Sequence, residues 1–290
     1  MLSYTTSLAL YQSMTENEET LNTTFFGRVF NERIRKVISK RKWPFLYATK
    51  NIDTVADQQS YDQPFNTKSI DTISVTVDST KYTPTRVGDQ DLWDKLNMVS
   101  QSSDIPEYWF PSNGKIGLYP TPSTAGNTIT VNYKKRVKDL SVIDYTTGTL
   151  TNTNASKVIT GVGTTFTAAM IGRWIKLGDG EWYEIDTYTS ATVIGLVNNF
   201  EGTTAALVDV LVGEISIIPE EYQMLPVYGA AADYYLKEGE STALANFESK
   251  FAEGLQQMEA DLIFMVEDPV IDDGINRDDY ITNPNLHITI

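Results

Sequence analysis

The sequence predicts an α+β protein: a helical bundle joined to a β-rich region, with an inserted small β-barrel or sandwich and an extended C-terminal tail. Three observations predict it. Apolar residues recur at helical spacing towards both ends, over 16–42 and over 219–265. Between them, 50–138 and 141–213 carry short runs of branched and aromatic residues broken by Gly, Pro and Asn. Residues 267–290 join acidic pairs to Pro and Gly, a composition that argues against a packed element. The division that follows is a core of 1–140 and 214–266, an inserted β domain of 141–213 and a tail of 267–290.

The first helix is expected over 16–42, with Thr15 as N-cap and Glu18 three residues later as in a capping box. Phe26, Phe30, Ile34 and Val37 form its apolar stripe. Its last turns hold Arg33, Arg35, Lys36, Lys40, Arg41 and Lys42, cations that suit the negative helix end. Pro44 stops it, and Trp43, Phe45, Leu46 and Tyr47 read as an anchor of the helix end on a sheet. A second helix is expected over 219–238, opened by Pro219 with Glu220 and Glu221. Gly229 and Ala230–Ala232 would let another helix come close. A third is expected over 241–265, where Leu244, Phe247, Phe251, Leu255, Met258 and Leu262 recur every three or four residues. Gly239 and a short joint make the last two helices an antiparallel pair. The helix-packing set is Phe26, Phe30, Leu225, Tyr235, Leu244, Phe247, Phe251, Leu255 and Met258.

Within 50–138, strands are expected at 69–77, 81–85, 115–120 and 128–133, with a short helix at 89–98 and a hairpin turn at Asn113-Gly114. Residues 141–213 hold six strand-like pieces, at 147–151, 156–160, 173–178, 181–188, 191–197 and 207–212. Phe166, Met170, Ile171, Trp174, Ile175, Trp182, Tyr183, Ile185, Ile194 and Leu196 are its expected core.

The chain carries a formal charge of −15, unevenly placed. Residues 1–140 have 17 Lys/Arg against 15 Asp/Glu; residues 141–290 have 6 against 23, a net of −17. The acidic half repels a nucleic-acid backbone and suits basic protein partners or solvent. Having no cysteine, the chain cannot form thiolate metal sites, disulfides or cysteine nucleophiles. No basic start precedes an apolar core, so no signal peptide is expected. No apolar run nears the roughly 20 residues that cross a bilayer, and no membrane partner is expected.

Catalytic chemistry finds little purchase. His287 is the only histidine and stands near the C-terminus, a poor place to hold a general base. Asp272-Asp273 and Asp278-Asp279 lack calcium-loop spacing. Gly161-Val162-Gly163-Thr164-Thr165 lacks the Gly-Lys-Ser/Thr ending of a phosphate loop. No enzyme activity, metal or cofactor is expected. Two basic clusters remain: Arg33, Lys36, Lys40 and Arg41, and Lys134, Lys135, Arg136 and Lys138. They could complement a helix end, bridge subunits, or line the bore of a ring through which DNA passes. In the tail, Val270, Ile271, Ile275, Tyr280, Ile281, Leu286, Ile288 and Ile290 interrupt the polar residues. Such residues suit docking on a partner, for instance by adding a strand to an exposed edge.

Three stretches in order carry a resemblance. They are Lys42-Trp43-Pro44-Phe45-Leu46; Ile105-Pro106-Glu107-Tyr108-Trp109-Phe110 with Gly114 to Pro122 and Ile129 to Tyr133; and Ile218-Pro219-Glu220-Glu221-Tyr222 through Gly239-Glu240, then Ala245 to Met258. Together they resemble the head-to-tail adaptor (head completion, or connector) proteins of tailed bacteriophages. The resemblance implies a virion protein of the neck, made in the host cytoplasm, that forms a ring, commonly of about twelve subunits. It implies a portal protein bound through the C-terminal tail, double-stranded DNA passing through the channel without sequence recognition, and downstream tail, nozzle or fibre proteins. The sequence departs at 141–213, which simpler members lack and which resembles small β-domains of other phage tail and neck proteins. Two other readings stand beside it. One is a different tail or baseplate ring or fibre-attachment protein. The other is a carbohydrate-binding module, with Trp174, Trp182 and Tyr183 as its platform.

Overall fold

The computed structural model describes residues 1–16 and 20–263. The described residues form helices α1 (Tyr4–Thr15) and α2 (Thr20–Lys40) near one end, a short α3 (Gln90–Asn97) among the strands, and α4 (Leu225–Glu238) and α5 (Ser241–Ile263) near the other end. Fifteen strands lie between them. They are β1 (Tyr47–Asp53), β2 (Ser60–Asp62), β3 (Thr67–Val77), β4 (Thr80–Tyr82) and β5 (Thr85–Arg86), then β6 (Tyr108–Ser112), β7 (Lys115–Tyr119) and β8 (Thr128–Lys135). The rest are β9 (Thr149–Asn152), β10 (Val158–Val162), β11 (Trp174–Lys176), β12 (Trp182–Ser190), β13 (Val193–Leu196), β14 (Ala205–Asp209) and β15 (Leu211–Gly213). The architecture is α+β, with N- and C-terminal helices and curled antiparallel sheet.

The N-terminus differs from the sequence expectation. Residues 4–15 form a helix of their own, whose first turn is capped by Ser3 Oγ accepting from the Thr6 N–H at 3.1 Å. Thr15 is therefore the last residue of α1 and not the N-cap of the next helix. Its hydroxyl is buried and donates to the Tyr11 carbonyl at 3.0 Å. Glu18 of the expected capping box lies outside the described residues. The buried face of α1 is Tyr4, Ser7, Tyr11 and Thr15. Half of that face is hydroxyl, which hides its period from a hydropathy reading.

The helical core takes the expected stripe. Phe26, Phe30, Ile34 and Val37 of α2 are buried with Tyr4 and Tyr11 of α1, Leu225 of α4, and Phe251, Leu255 and Met258 of α5. Aromatic rings stack through its centre, Phe26 on Phe30 at 4.7 Å between centroids. Trp43 and Leu46 also join this core rather than a sheet, and Trp43 Nε1 donates to the Val37 carbonyl at 2.8 Å. Pro219 opens only a short 3₁₀ turn, Glu220–Tyr222; α4 itself starts at Leu225 with Pro226 in its first turn. Gly239, with φ of 81°, ends α4 and turns the chain back. The pairing is antiparallel. A Cβ on Gly254 would come 2.3 Å from Leu225, while Tyr235 stacks on Phe247 at the other end. Tyr235 and Phe247 are half-buried, as is Leu244, and the Tyr235 hydroxyl donates to the Met14 carbonyl at 2.9 Å.

Two four-stranded sheets follow, in orders β1-β8-β3-β4 and β2-β7-β6-β5. Ile73, Val75, Ile129 and Val131 of the first meet Trp109, Ile116 and Leu118 of the second. Asn113 and Gly114 make the β6–β7 turn with φ of 50° and 75°, as their positions between two strands predict. Trp93 of α3 lies over Gly117, where a Cβ would stand 2.5 Å from its ring.

The third sheet has seven strands in the order β14-β9-β10-β13-β12-β11-β15. Its two outermost strands, β14 and β15, are consecutive in the chain and separated only by the buried Val210. The sheet therefore curls round on itself as a partial barrel, with Leu150, Ile159, Phe166, Ile175, Ile185, Ile194 and Phe200 inside. Trp174, Trp182 and Ile171 are only half-buried, unlike the expectation that they fill this core, while the half-buried Tyr183 packs against it with its ring 5.7 Å from that of Phe200. Strand alternation sends Ile175 inward and Trp174 outward.

Candidate assembly surface

The basic residues of α2 divide by depth. Arg33 is 8% exposed. Its Nε and Nη2 donate to the two oxygens of Asp233 at 2.8 and 2.6 Å, and Nη1 meets Glu248 at 2.9–3.0 Å. Its stem lies on Gly229, where a Cβ would stand 2.6 Å from Arg33 Cδ, and its guanidinium is 5.0 Å from the Phe251 ring centre. Burial opposes the charge on Arg33, but the hydrogen bonds from Asp233 and Glu248 prevail and raise its pKa. Arg33 thus ties α2 to α4 and α5 inside the subunit. Lys36 stands at 3.8 Å from Glu248, and Lys40 and Arg41 share Glu259 at 3.1 and 3.4 Å. These three lie towards solvent, where such pairs contribute only a few tenths of a kcal/mol, about 0.2–1.

The second cluster lies where the chain crosses to the seven-stranded sheet and returns. Lys134 sits over the Tyr47 ring at 5.8 Å. Lys135, Arg136 and Lys138 line a cavity of about 270 Å³ between the helices, β1 and the seven-stranded sheet. Lys50 of β1 reaches Asp186 of β12 at 3.6 Å across it. On its wall Phe65 fills the notch left by Gly172, where a Cβ would stand 2.4 Å from the ring.

Sequence reasoning missed the residue that organises this crossing, Glu214, which is 3% exposed. Its Oε2 accepts from the backbone N–H of Ser141 and Val142 at 2.7 and 2.9 Å, and its Oε1 from Lys138 at 3.0 Å. The returning strand is thereby pinned to the departing one. Burial pushes the Glu214 carboxyl up, but the Ser141 and Val142 N–H groups and Lys138 outweigh it and leave its pKa below the ordinary 4.5. The N-terminus completes the clamp. Tyr4 N donates to the Glu214 carbonyl at 2.8 Å, and Ser3 Oγ donates to Asp144 at 2.7 Å. Asn31 of α2 holds the Leu140 backbone in both directions, at 2.8 Å each. Arg173, also buried, donates to the carbonyls of Ile143 and Val212; burial lowers its pKa against the pull of Glu214 and Asp144. The only signal for Glu214 in the sequence is an acid beside the strand residues Leu211–Gly213, facing a Lys138 far away in the chain.

A folded carboxylate that binds its proton less tightly than the unfolded one contributes stability above the unfolded pKa, and that contribution is lost as pH falls through the lower, folded value. Glu214→Gln should lower the melting temperature near pH 7, at a cost of roughly 1.5–3 kcal/mol. It should also shrink the drop in stability that the natural chain shows below the ordinary 4.5. Thermal melts at several pH values check both.

The tail residues Val270, Ile271, Ile275, Tyr280, Ile281, Leu286, Ile288 and Ile290, with His287 and the Asp pairs, lie outside the described residues. Among the described residues no group of three or more His, Cys, Asp or Glu side chains is placed to hold a metal, and no helix is long and apolar enough to cross a membrane.

A helix bundle clamped to curled sheets, with its deepest charges paired for cohesion, defines a structural building block. Comparison with protein families places it more closely. Residues 10–159 match the model of the SU10 adaptor protein family. That stretch is more than half of the chain, and the protein belongs to this family. It takes in the first two stretches that carried the resemblance to phage head-to-tail adaptors; the third, from Ile218, lies beyond it. The family is one of structural adaptors, and the protein is not an enzyme. No curated protein sequence matches the chain.

Proposed function

We propose that the protein is a ring-forming subunit of the neck of a tailed phage, set between the portal and the tail, with DNA passing through its bore. Membership in the adaptor family over residues 10–159 is the observation that carries this reading. In it, residues 267–290 dock on the portal through their scattered Ile, Leu, Val and Tyr side chains. Residues 141–213 act as an inserted domain that projects from the ring towards tail, nozzle or fibre proteins. Lys134 and Arg136 are the basic side chains of the two clusters best placed for the bore or for a neighbouring subunit, because Lys36 pairs with Glu248 and Lys135 faces Glu184 within the subunit. Lys40, Arg41 and Lys138 already share Glu259 and Glu214. Arg33 is committed within the subunit.

A closed ring repeats each contact with the portal, so a weak contact per subunit suffices for firm attachment. Negative-stain imaging of the purified protein with portal rings tests this. Closed rings stacked coaxially on the portal are expected. A persistent monomer that leaves the portal bare would contradict it.

A further inference from the structure

The outer face of β11, β12 and β15 carries two tryptophans in adjacent rows. Trp174 stands opposite Glu184 and Gly213, and Trp182 stands opposite Lys176. Gly213 lets Asp144, Ser3 and Trp182 pack close against the strand: a Cβ there would lie 2.8 Å from Asp144 Oδ1, 2.9 Å from Ser3 Cβ and 3.4 Å from Trp182 Cη2. Both indoles are half-buried. With Glu181, Glu184, Glu201, Asn198 and Asn199 they line a depression of about 320 Å³.

Its charge is one-sided. Three carboxylates line it and no basic side chain does. Residues 149–213 hold only three basic residues. Lys157 donates to the Val197 carbonyl, Arg173 is buried, and Lys176, the cross-strand partner of Trp182, does not line the depression. Lys135 faces Glu184 from β8, together with Lys50 and Asp186, but Glu181 and Glu201 have no cation near them among the described contacts. Elsewhere the protein covers its rings with its own cations: Arg33 over Phe251, Lys134 over Tyr47, Arg86 over Trp109. Among the described residues Trp174 and Trp182 carry none.

We propose that this depression seats an arginine side chain of a protein partner. The flat guanidinium stacks on an indole face and presents its N–H fork to carboxylates at the rim, a combination that neither a lysine nor a neutral group reproduces. A saccharide would stack on the same indoles and donate hydroxyls to the carboxylates, but it is neutral and leaves their charge uncompensated. The inference does not depend on ring formation and is tested on the free full-length chain.

The test labels the indole N–H of the five tryptophans with ¹⁵N and titrates the chain with acetyl-Arg-Gly-Arg-amide, acetyl-Glu-Gly-Glu-amide or maltotriose. Trp174→Phe and Trp182→Phe assign the two signals, while the buried Trp43 and Trp109 report that each variant is folded. The arginine peptide should shift the Trp174 and Trp182 signals saturably. Added salt should weaken the effect, and Glu181→Gln with Glu201→Gln should weaken binding about tenfold or more. The proposal is overturned by an absent shift, by a shift undiminished in the folded double variant, or by a response to maltotriose in place of the peptide.

Discussion

Deleting residues 268–290 is expected to abolish portal binding while leaving a folded, soluble subunit. The helical core is closed by residues from Tyr4 to Ile263, so the fold should survive. Docking an extended segment costs roughly 1–2 kcal/mol per residue in backbone entropy. Apolar burial recovers about 25 cal/mol per Å², and backbone hydrogen bonds add to it. In the proposed assembly the Ile, Leu, Val and Tyr side chains of the tail supply that burial, and nothing in the truncated chain replaces it. Co-sedimentation of the truncated and full chains with portal rings, beside a melt of each, reads both halves of the expectation. A truncated chain that still binds the portal undiminished refutes the role given to the tail.

Arg33→Ala should cost about 3 kcal/mol, far more than the loss of a surface cation from the same helix. It removes the counter-charge of Asp233, leaves Glu248 with only the more distant Lys36, strips the stem from Gly229 and takes the guanidinium from the Phe251 ring. The half-buried Asp233 is then left without a cation. For a chain of this size the loss corresponds to a melting point lower by roughly 5–10 °C. Arg33→Met combined with Asp233→Leu should recover part of it, because an apolar pair leaves fewer uncompensated charges than a broken ion pair does. Lys40→Ala is the surface comparison and should change stability by less than about 0.5 kcal/mol. Equal melts for Arg33→Ala and Lys40→Ala would show that the buried pair contributes no more than a surface one.

What could be read from residues alone follows the reach of each signal. The stripe of Phe26, Phe30, Ile34 and Val37 and the run Phe251, Leu255 and Met258 are local periods, and both are buried as expected. So is the Asn113-Gly114 turn, which depends on two adjacent residues that accept positive φ. Helix α1 was hidden because Ser7 and Thr15 occupy half of its inward face. Trp174 and Trp182 look like core by composition, yet the register of β11 against β12 puts them on the outer face. The register is set across the short connection 177–181, but which face of the pair turns inward depends on how the whole sheet curls. Arg33 reads as one more cation at a helix end, because its partners lie 200 and 215 residues further along. Glu214 is hidden for the same reason, since its ligands Lys138, Ser141 and Val142 are more than 70 residues away.

The most direct measurement is a reconstruction of the assembled head–tail junction by electron cryo-microscopy. The account predicts a closed ring of this chain under the portal, with residues 270–290 of each subunit lying against portal surface. A ring whose residues 270–290 touch no neighbouring protein, or a junction in which this chain forms no ring, would contradict it.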